Sequence, residues 1–377
     1  MPSTSFSPTS FPSTFSPDHH IPTPENNKTF SQCIKEAFNI PTNDTYTYLA
    51  QGETTLTTTQ KAINGKRAHN LHNWYHDASG NPIEFPTSPS PASGSPFPPP
   101  SEITAYTTLF APSLSLPKAL NAFHASSKPH TLRAQVSTHL TSRYLNTTTG
   151  LLPPRKDHKH TNPYLDYWTY TCHELEWCGP WPNTLYTKQS HHILPILYHH
   201  FGCVVPSYAA LHVIAKLVQP ARPSKEAVRP ILDVGSGSGY WTFMLRNFPL
   251  GEGMKGLDVR AVDNGTSEYR IMWVEDTIKM DGVSYLSQHG NGRGCVLLLV
   301  YPQATGDFTA PLLRKFEGDS VVVAGTQNGN GFTAFRDCVV DEWVEKNLRA
   351  FELTLRMPLP SFAGKDEALF VFQRKKT

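Results

Sequence analysis

The sequence predicts an α/β fold: a mostly parallel β-sheet with helices on both faces, formed by the C-terminal half of a 377-residue chain. Three observations predict it. From Ile231 onward, short apolar runs alternate with helix-like segments, as they do where crossover helices cover a parallel sheet. VLLLV, Val296 to Val300, is a continuous hydrophobic run that fits a strand covered on both sides. The last two strand candidates are joined by MPLPSFAGKDE, Met357 to Glu367, which offers no crossover helix, so the final strand is expected to run antiparallel to its neighbour.

The strand candidates are Ile231 to Val234, Val259 to Val262, Arg270 to Val274, Cys295 to Val300, Ser320 to Ala324, Phe351 to Arg356 and Ala368 to Gln373. Helices fit between them at Tyr240 to Asn247, Gly282 to Gln288, Thr309 to Phe316 and Asp337 to Leu348. Upstream, Ser207 is placed to cap a helix whose Leu211, Ile214, Ala215 and Val218 share one face. Leu132, Val136, Leu140 and Tyr144 recur every fourth residue, so a second helix is expected there, packed on the aromatic stretch Tyr164 to Tyr186. Dense Tyr and Trp suit either an accessory core or a pocket wall, and core packing is the expectation. A short helix fits Phe30 to Phe38.

Composition divides the chain into three. Residues 1–100 form a Pro/Ser/Thr-rich region, 101–200 a helical, aromatic-rich accessory region and 201–377 the α/β domain. Residues 1–24 hold Pro2, Pro8, Pro12, Pro17, Pro22 and Pro24, and residues 86–100 hold seven prolines. Such composition is expected to give a disordered tail (to about residue 28) and a disordered linker. A formal charge of +2 with interspersed signs gives no footprint for nucleic acid or an anionic membrane. No run reaches the ~18 apolar residues of a membrane span, and no secretory or mitochondrial leader is visible, so an intracellular protein, cytoplasmic or nuclear, is expected. The six cysteines lack any C-x-x-C pair and read as reduced thiols. Cys172, His173, Cys178, His191 and His192 fit no zinc-finger spacing, and no metal is expected.

The chemistry lies in ILDVGSGSGYWTF, Ile231 to Phe243. A loop between the first strand and first helix of a parallel sheet lies at its carboxyl edge, where such sheets bind ligands. Glycines there let the backbone turn and approach a ligand without a Cβ between. A dinucleotide fingerprint needs glycine at position 240, where this chain has Tyr240, and no G-K-[ST] follows to make a P-loop.

D-x-G-x-G-x-G, Asp233 to Gly239, resembles motif I of the class I S-adenosylmethionine (SAM) dependent methyltransferases, whose loop wraps the amino-acid end and ribose of the cofactor. The resemblance covers about Val204 to Lys376 and implies a Rossmann-like seven-stranded sheet with an antiparallel last strand. It implies SAM as cofactor, bound by Asp233, Gly235, Ser236, Gly237 and Gly239, with Asp263 on the ribose hydroxyls and Asp276 on the adenine amino group. GCVVPSYAAL, a motif I ending in Gly239, Tyr240 and Trp241, and FEGDSVVVAG are similar to a microbial branch of the superfamily. That branch runs its fourth strand into W-P-P-Y, whereas this chain has VYPQ. Tyr301, Pro302 and Gln303 are therefore the candidates for the acceptor site, with the acceptor itself and the oligomeric state open. A non-catalytic SAM-binding module and a nicotinamide-dependent oxidoreductase are the alternatives, the second opposed by Tyr240.

Overall fold

The computed structural model describes residues 6–375 except 51, 87–93, 96, 155–157, 181–183, 185, 188, 223–224, 305–306 and 328–332. Short helices α1 (Phe11–Thr14), α2 (Pro17–His20), α3 (Phe30–Ala37) and α4 (Leu56–Asn64) open the chain. A two-stranded ribbon follows, β1 (Phe85–Pro86) against β2 (Gly94–Ser95). Then come α5 (Pro100–Thr108), α6 (Leu116–Ala125), α7 (Leu132–Arg143), β3 (Leu145–Asn146), α8 (Pro163–Leu175), α9 (Leu194–Phe201) and α10 (Tyr208–Leu217). The α/β part comprises β4 (Ile231–Val234), α11 (Tyr240–Arg246), β5 (Val259–Asp263), β6 (Ile278–Lys279), α12 (Gly282–Gln288), β7 (Val296–Val300) and α13 (Thr309–Lys315). It closes with β8 (Ser320–Thr326), α14 (Val340–Asn347), β9 (Phe351–Pro358) and β10 (Glu367–Arg374).

The main sheet is mixed, in the order β3-β9-β10-β8-β7-β4-β5-β6. Its centre and one flank, β8-β7-β4-β5-β6, are parallel, while β10 is antiparallel to both β8 and β9. The expected reversal of the last strand is therefore present. Strand residues alternate between two cores: Leu298, Val322, Ala324 and Leu369 face one, and Leu297, Leu299, Val323 and Phe370 the other. That alternation is the period of a strand, and the continuous hydrophobic runs reflect cover on both faces.

Two sheet expectations are corrected. The sheet has eight strands rather than seven, because β3 from the accessory region pairs antiparallel with the outer side of β9. Arg270 to Val274 is not a strand. Its amides are committed elsewhere, Arg270 N and Ile271 N to His199 O (3.0 and 3.3 Å) and Trp273 N to Ser238 O (2.8 Å). The third parallel strand is β6, pairing Ile278 with Val262 and Lys279 with Asp263.

The expected disordered tail is packed over residues 6–28, with residues 1–5 outside the described set. Phe11, Phe15 and Ile21 are buried, and Phe11 lies edge-on to Trp273 with ring centroids 5.2 Å apart. Composition counts the prolines but not the aromatic groove that receives the phenylalanines. The prolines also cost little here: Pro12 and Pro17 lie in the first turns of α1 and α2, where an amide would have no helical partner. The expected linker falls mostly outside the described residues.

The accessory helices form as their patterns imply. Ser207 caps α10, its hydroxyl accepting from Ala210 N at 3.2 Å. α7 buries Leu132, Val136 and Leu140, and a Cβ on Gly179 would meet Val136 Cγ1 at 2.8 Å, which shows how closely α7 packs on the aromatic stretch. Tyr164, Tyr167 and Trp168 of α8 are core residues. Asn162 caps α8 by accepting from Leu165 N (3.3 Å), donates to Pro206 O (2.6 Å) and accepts from Tyr240 Oη (3.0 Å). Trp241 Nε1 donates to Val204 O at 2.8 Å. The two aromatics that end the glycine motif thus tie its helix to the start of α8 and to the segment before α10.

Candidate functional site

A cleft of about 370 Å³ opens at the carboxyl ends of β4, β5 and β7. Such a position and volume suit a small ligand or cofactor. Its floor is the β4–α11 loop. Gly235 N and Ser236 N donate to Val262 O (2.7 and 3.2 Å), and Gly239 N donates to Ser236 O (2.9 Å). Gly237 and Gly239 have φ of +56° and +76°, in the left-handed region that disfavours side chains. Space forbids them as well: a Cβ on Gly239 would meet Val274 Cγ2, and one on Gly237 would meet Tyr269 Oη, each at 2.5 Å. Ser236 Oγ is buried without a partner, a polar atom on the cleft floor with hydrogen-bonding capacity to spare.

Asp263 ends β5 beside this floor. Its Oδ2 accepts from Gly237 N (2.9 Å) and its Oδ1 from Gly265 N (2.7 Å), so it stitches the glycine loop to the next turn. Each carboxylate oxygen has a second lone pair, so both can still receive a ligand hydroxyl. Gly235, Ser236, Gly237 and Asp263 therefore come together, as do Tyr301, Pro302 and Gln303 across the cleft. Gly239 starts α11 just behind the floor.

Two expected ligand residues lie elsewhere. Asp233 is 1% exposed beneath the loop, where Thr242 Oγ1 donates to its Oδ2 at 2.7 Å and its Oδ1 has no partner. Burial pushes its carboxyl up to about 7, opposed by the Thr242 hydroxyl. It supports the loop from below and does not line the cleft. Asp276 is exposed and held in a fork by Arg246, at 2.8 and 2.9 Å, which also lowers its carboxyl pKa. The strand it was expected to follow is not there. The acid that follows β6 is Asp281, which lines the cleft while its Oδ1 accepts from Ser284 N (2.9 Å) to cap α12. IKMDG, a short apolar-polar run ending in Asp-Gly, was its signal in the sequence.

The far wall is aromatic. Tyr301 follows β7 with φ +49°, rare for a bulky side chain, and Tyr301 N donates to Ala324 O (2.7 Å). Pro302 is buried and Gln303 exposed at the cleft mouth. Tyr198 of α9 stands against Tyr301 with centroids 6.0 Å apart, and Cys203, Tyr269 and Phe308 complete the wall. Burial raises the phenols of Tyr198 and Tyr301 and pushes the Cys203 thiol up to about 12, so all three are neutral donors near pH 7. Tyr198 and Cys203 were not legible as site residues, because they reach the cleft from the accessory side through tertiary packing alone.

Among the described residues no group of three or more His, Cys, Asp or Glu could hold a metal ion. None of their helices is long and apolar enough to cross a membrane. Comparison with protein-family models finds none that matches the chain, and comparison with curated proteins finds no match either.

Proposed function

We propose that the chain is a SAM-dependent methyltransferase whose acceptor enters between Tyr301 and Gln303. One observation carries the reading: the glycine loop, the Asp263 carboxylate and Asp281 converge on a single cleft at the carboxyl ends of three parallel strands. The sheet order supports it. Counted from β4 as first, the strands run third, second, first, fourth, fifth, seventh, sixth, with only the seventh reversed, in keeping with the seven-stranded methyltransferase sheet; β3 is an addition at its edge.

The residues present fit the cofactor. Ser236 Oγ and the glycine-loop backbone would hold its amino-acid end, Asp263 its ribose hydroxyls and Asp281 its adenine edge. When bound, the cofactor supplies an electrophilic methyl group on a sulfonium. The chain's part is to orient and to exclude water, and orientation alone can supply ~7–11 kcal/mol. Tyr198, Tyr301 and Phe308 form a largely apolar wall that keeps water from the acceptor. The left-handed backbone at Tyr301, strain of roughly 1–3 kcal/mol, aims that wall at the cleft. Gln303 offers an amide to orient the acceptor.

Calorimetric titration with SAM, S-adenosylhomocysteine, NAD and NADP tests the reading, and SAM and its demethylated product are the expected binders. Asp263→Ala is expected to weaken SAM binding about 10-fold or more, the worth of one charge-assisted hydrogen bond. Gln303→Ala should leave that affinity intact and lower turnover. If neither SAM nor its product binds at millimolar concentration, the proposal fails; if SAM binds but no protein, RNA or metabolite pool is methylated, the non-catalytic alternative stands.

A further inference from the structure

The segment between β5 and β6 walls the cleft with Ser267 and Tyr269 and forms no helix or strand of its own. Tyr269 sets the clearance over Gly237, so the shape of the floor depends on where this segment is held. At Arg270 it is held from outside the α/β part. Arg270 pairs with Asp44 at 2.7 Å, the two side chains 3% and 4% exposed. The Arg270 guanidinium also lies 4.4 Å from the centroid of the Tyr46 ring. A charge pair so buried is costly unless its geometry is good, and removing one partner strands the other.

His199 joins the same two pieces of chain. Its Nε2 accepts from Leu49 N (3.2 Å), so in the neutral ring Nδ1 carries the proton and meets Tyr46 Oη (3.3 Å). Its carbonyl accepts from Arg270 N and Ile271 N. Beside it Tyr48 Oη and His200 Nε2 are 2.9 Å apart. The side chains of Asp44, Tyr46 and Tyr48 and the amide of Leu49 thus engage α9 and the loop that carries Tyr269.

We propose that residues 44–49 are a positioning element of the ligand cleft: through Asp44, Tyr46 and His199 they fix Arg270, and with it Tyr269 against Gly237, so ligand affinity depends on a carboxylate 226 residues upstream of the arginine it holds. That the ligand is SAM rests on the reading above; the clamp does not.

Asp44→Asn removes the charge at nearly constant volume. In the full-length protein, amides of residues 264–271 are expected to exchange at least about tenfold faster while those of β4 and β7 are unchanged. SAM affinity is expected to fall about tenfold, and Asp44→Glu, which keeps the charge, to recover part of both effects. Tyr46→Phe spares the ion pair and removes only the hydroxyl; it gives the same readout, smaller, if Asp44→Asn does not fold. Unchanged loop exchange in the folded variants overturns the clamp. Faster loop exchange with unchanged SAM affinity overturns its positioning role. A parent that binds neither SAM nor S-adenosylhomocysteine defeats the cofactor reading alone, and the loop exchange then decides the clamp.

Discussion

Glu367, the first residue of β10, is fully buried and neither carboxylate oxygen has a hydrogen-bond partner. The Ser361 hydroxyl nearby already donates to Leu359 O and accepts from Glu367 N. Burial pushes the carboxyl up to about 8. In the unfolded chain the same group titrates near ~4.3. Between these values the native state binds the extra proton, so its contribution to stability is complete at low pH and is lost as pH rises through the native value. Asp233, pushed up to about 7, acts in the same sense over a slightly lower window. Glu367→Gln is expected to flatten the decline in Tm between about pH 5 and pH 8 and to melt a few degrees above the parent at the upper end. Melting curves of the two proteins across that range check this, and parallel pH dependences would mean that the carboxyl gives no linkage. Glu367 also acts electrostatically on Tyr198 and Tyr301, so this costly burial bears on the aromatic wall of the cleft.

Elements of the α/β part were legible because each rule that defines them is local. An apolar run, a glycine loop and a capping serine all fall within a few residues of one another, and the strands of β4, β5, β7, β8, β9 and β10 lie where the runs do. Arg270 to Val274 misled because Ile271 and Trp273 are buried in a strand-like alternation, while the hydrogen bonds that decide the matter go to α9 and Ser238. Asp276 was misplaced with it. Tyr198, Cys203 and Tyr269 reach the site through packing that no local pattern encodes. Asn162 is the element that joins the two kinds of information, since it caps α8 locally and ties Tyr240 and Pro206 at long range. Asn162→Ala is expected to destabilise the protein by about 2–3 kcal/mol, a cap plus buried partners left unbonded, without changing the affinity of the cleft for the ligand proposed above at temperatures where it is folded. Denaturant unfolding alongside calorimetry separates the two effects; a drop in affinity of the folded variant would place Asn162 in the site.

Across the whole molecule one core runs from Phe11 to Val371, so the N-terminal region, the accessory helices and one face of the sheet are buried together. Removing the aromatic plug should therefore be felt far from the terminus. Phe11→Ala is expected to cost about 3–5 kcal/mol if the neighbouring rings do not collapse into the space. Hydrogen exchange in the parent should show protection at Phe15 and Ile21, whose amides bond Phe11 O and Pro17 O. Fast exchange there together with an unchanged Tm for the variant would mean that the plug is not seated in solution.

The two ends of the sheet, β3 and β6, are each two residues long. A long bare edge of unpaired backbone groups is a template for another chain, and very short terminal strands leave little of one. The strands best suited to self-association by composition, SVVVAGT and EALFVFQR, are interior and paired on both sides. Protection at the outer margin is thinnest where β3 covers only part of the eight-residue β9. Release of Leu145, Asn146 and Thr147 together would free β9 from Thr354 to Arg356 to pair with another chain, so the colloidal behaviour of the protein is expected to depend on a three-residue cover far from the cleft.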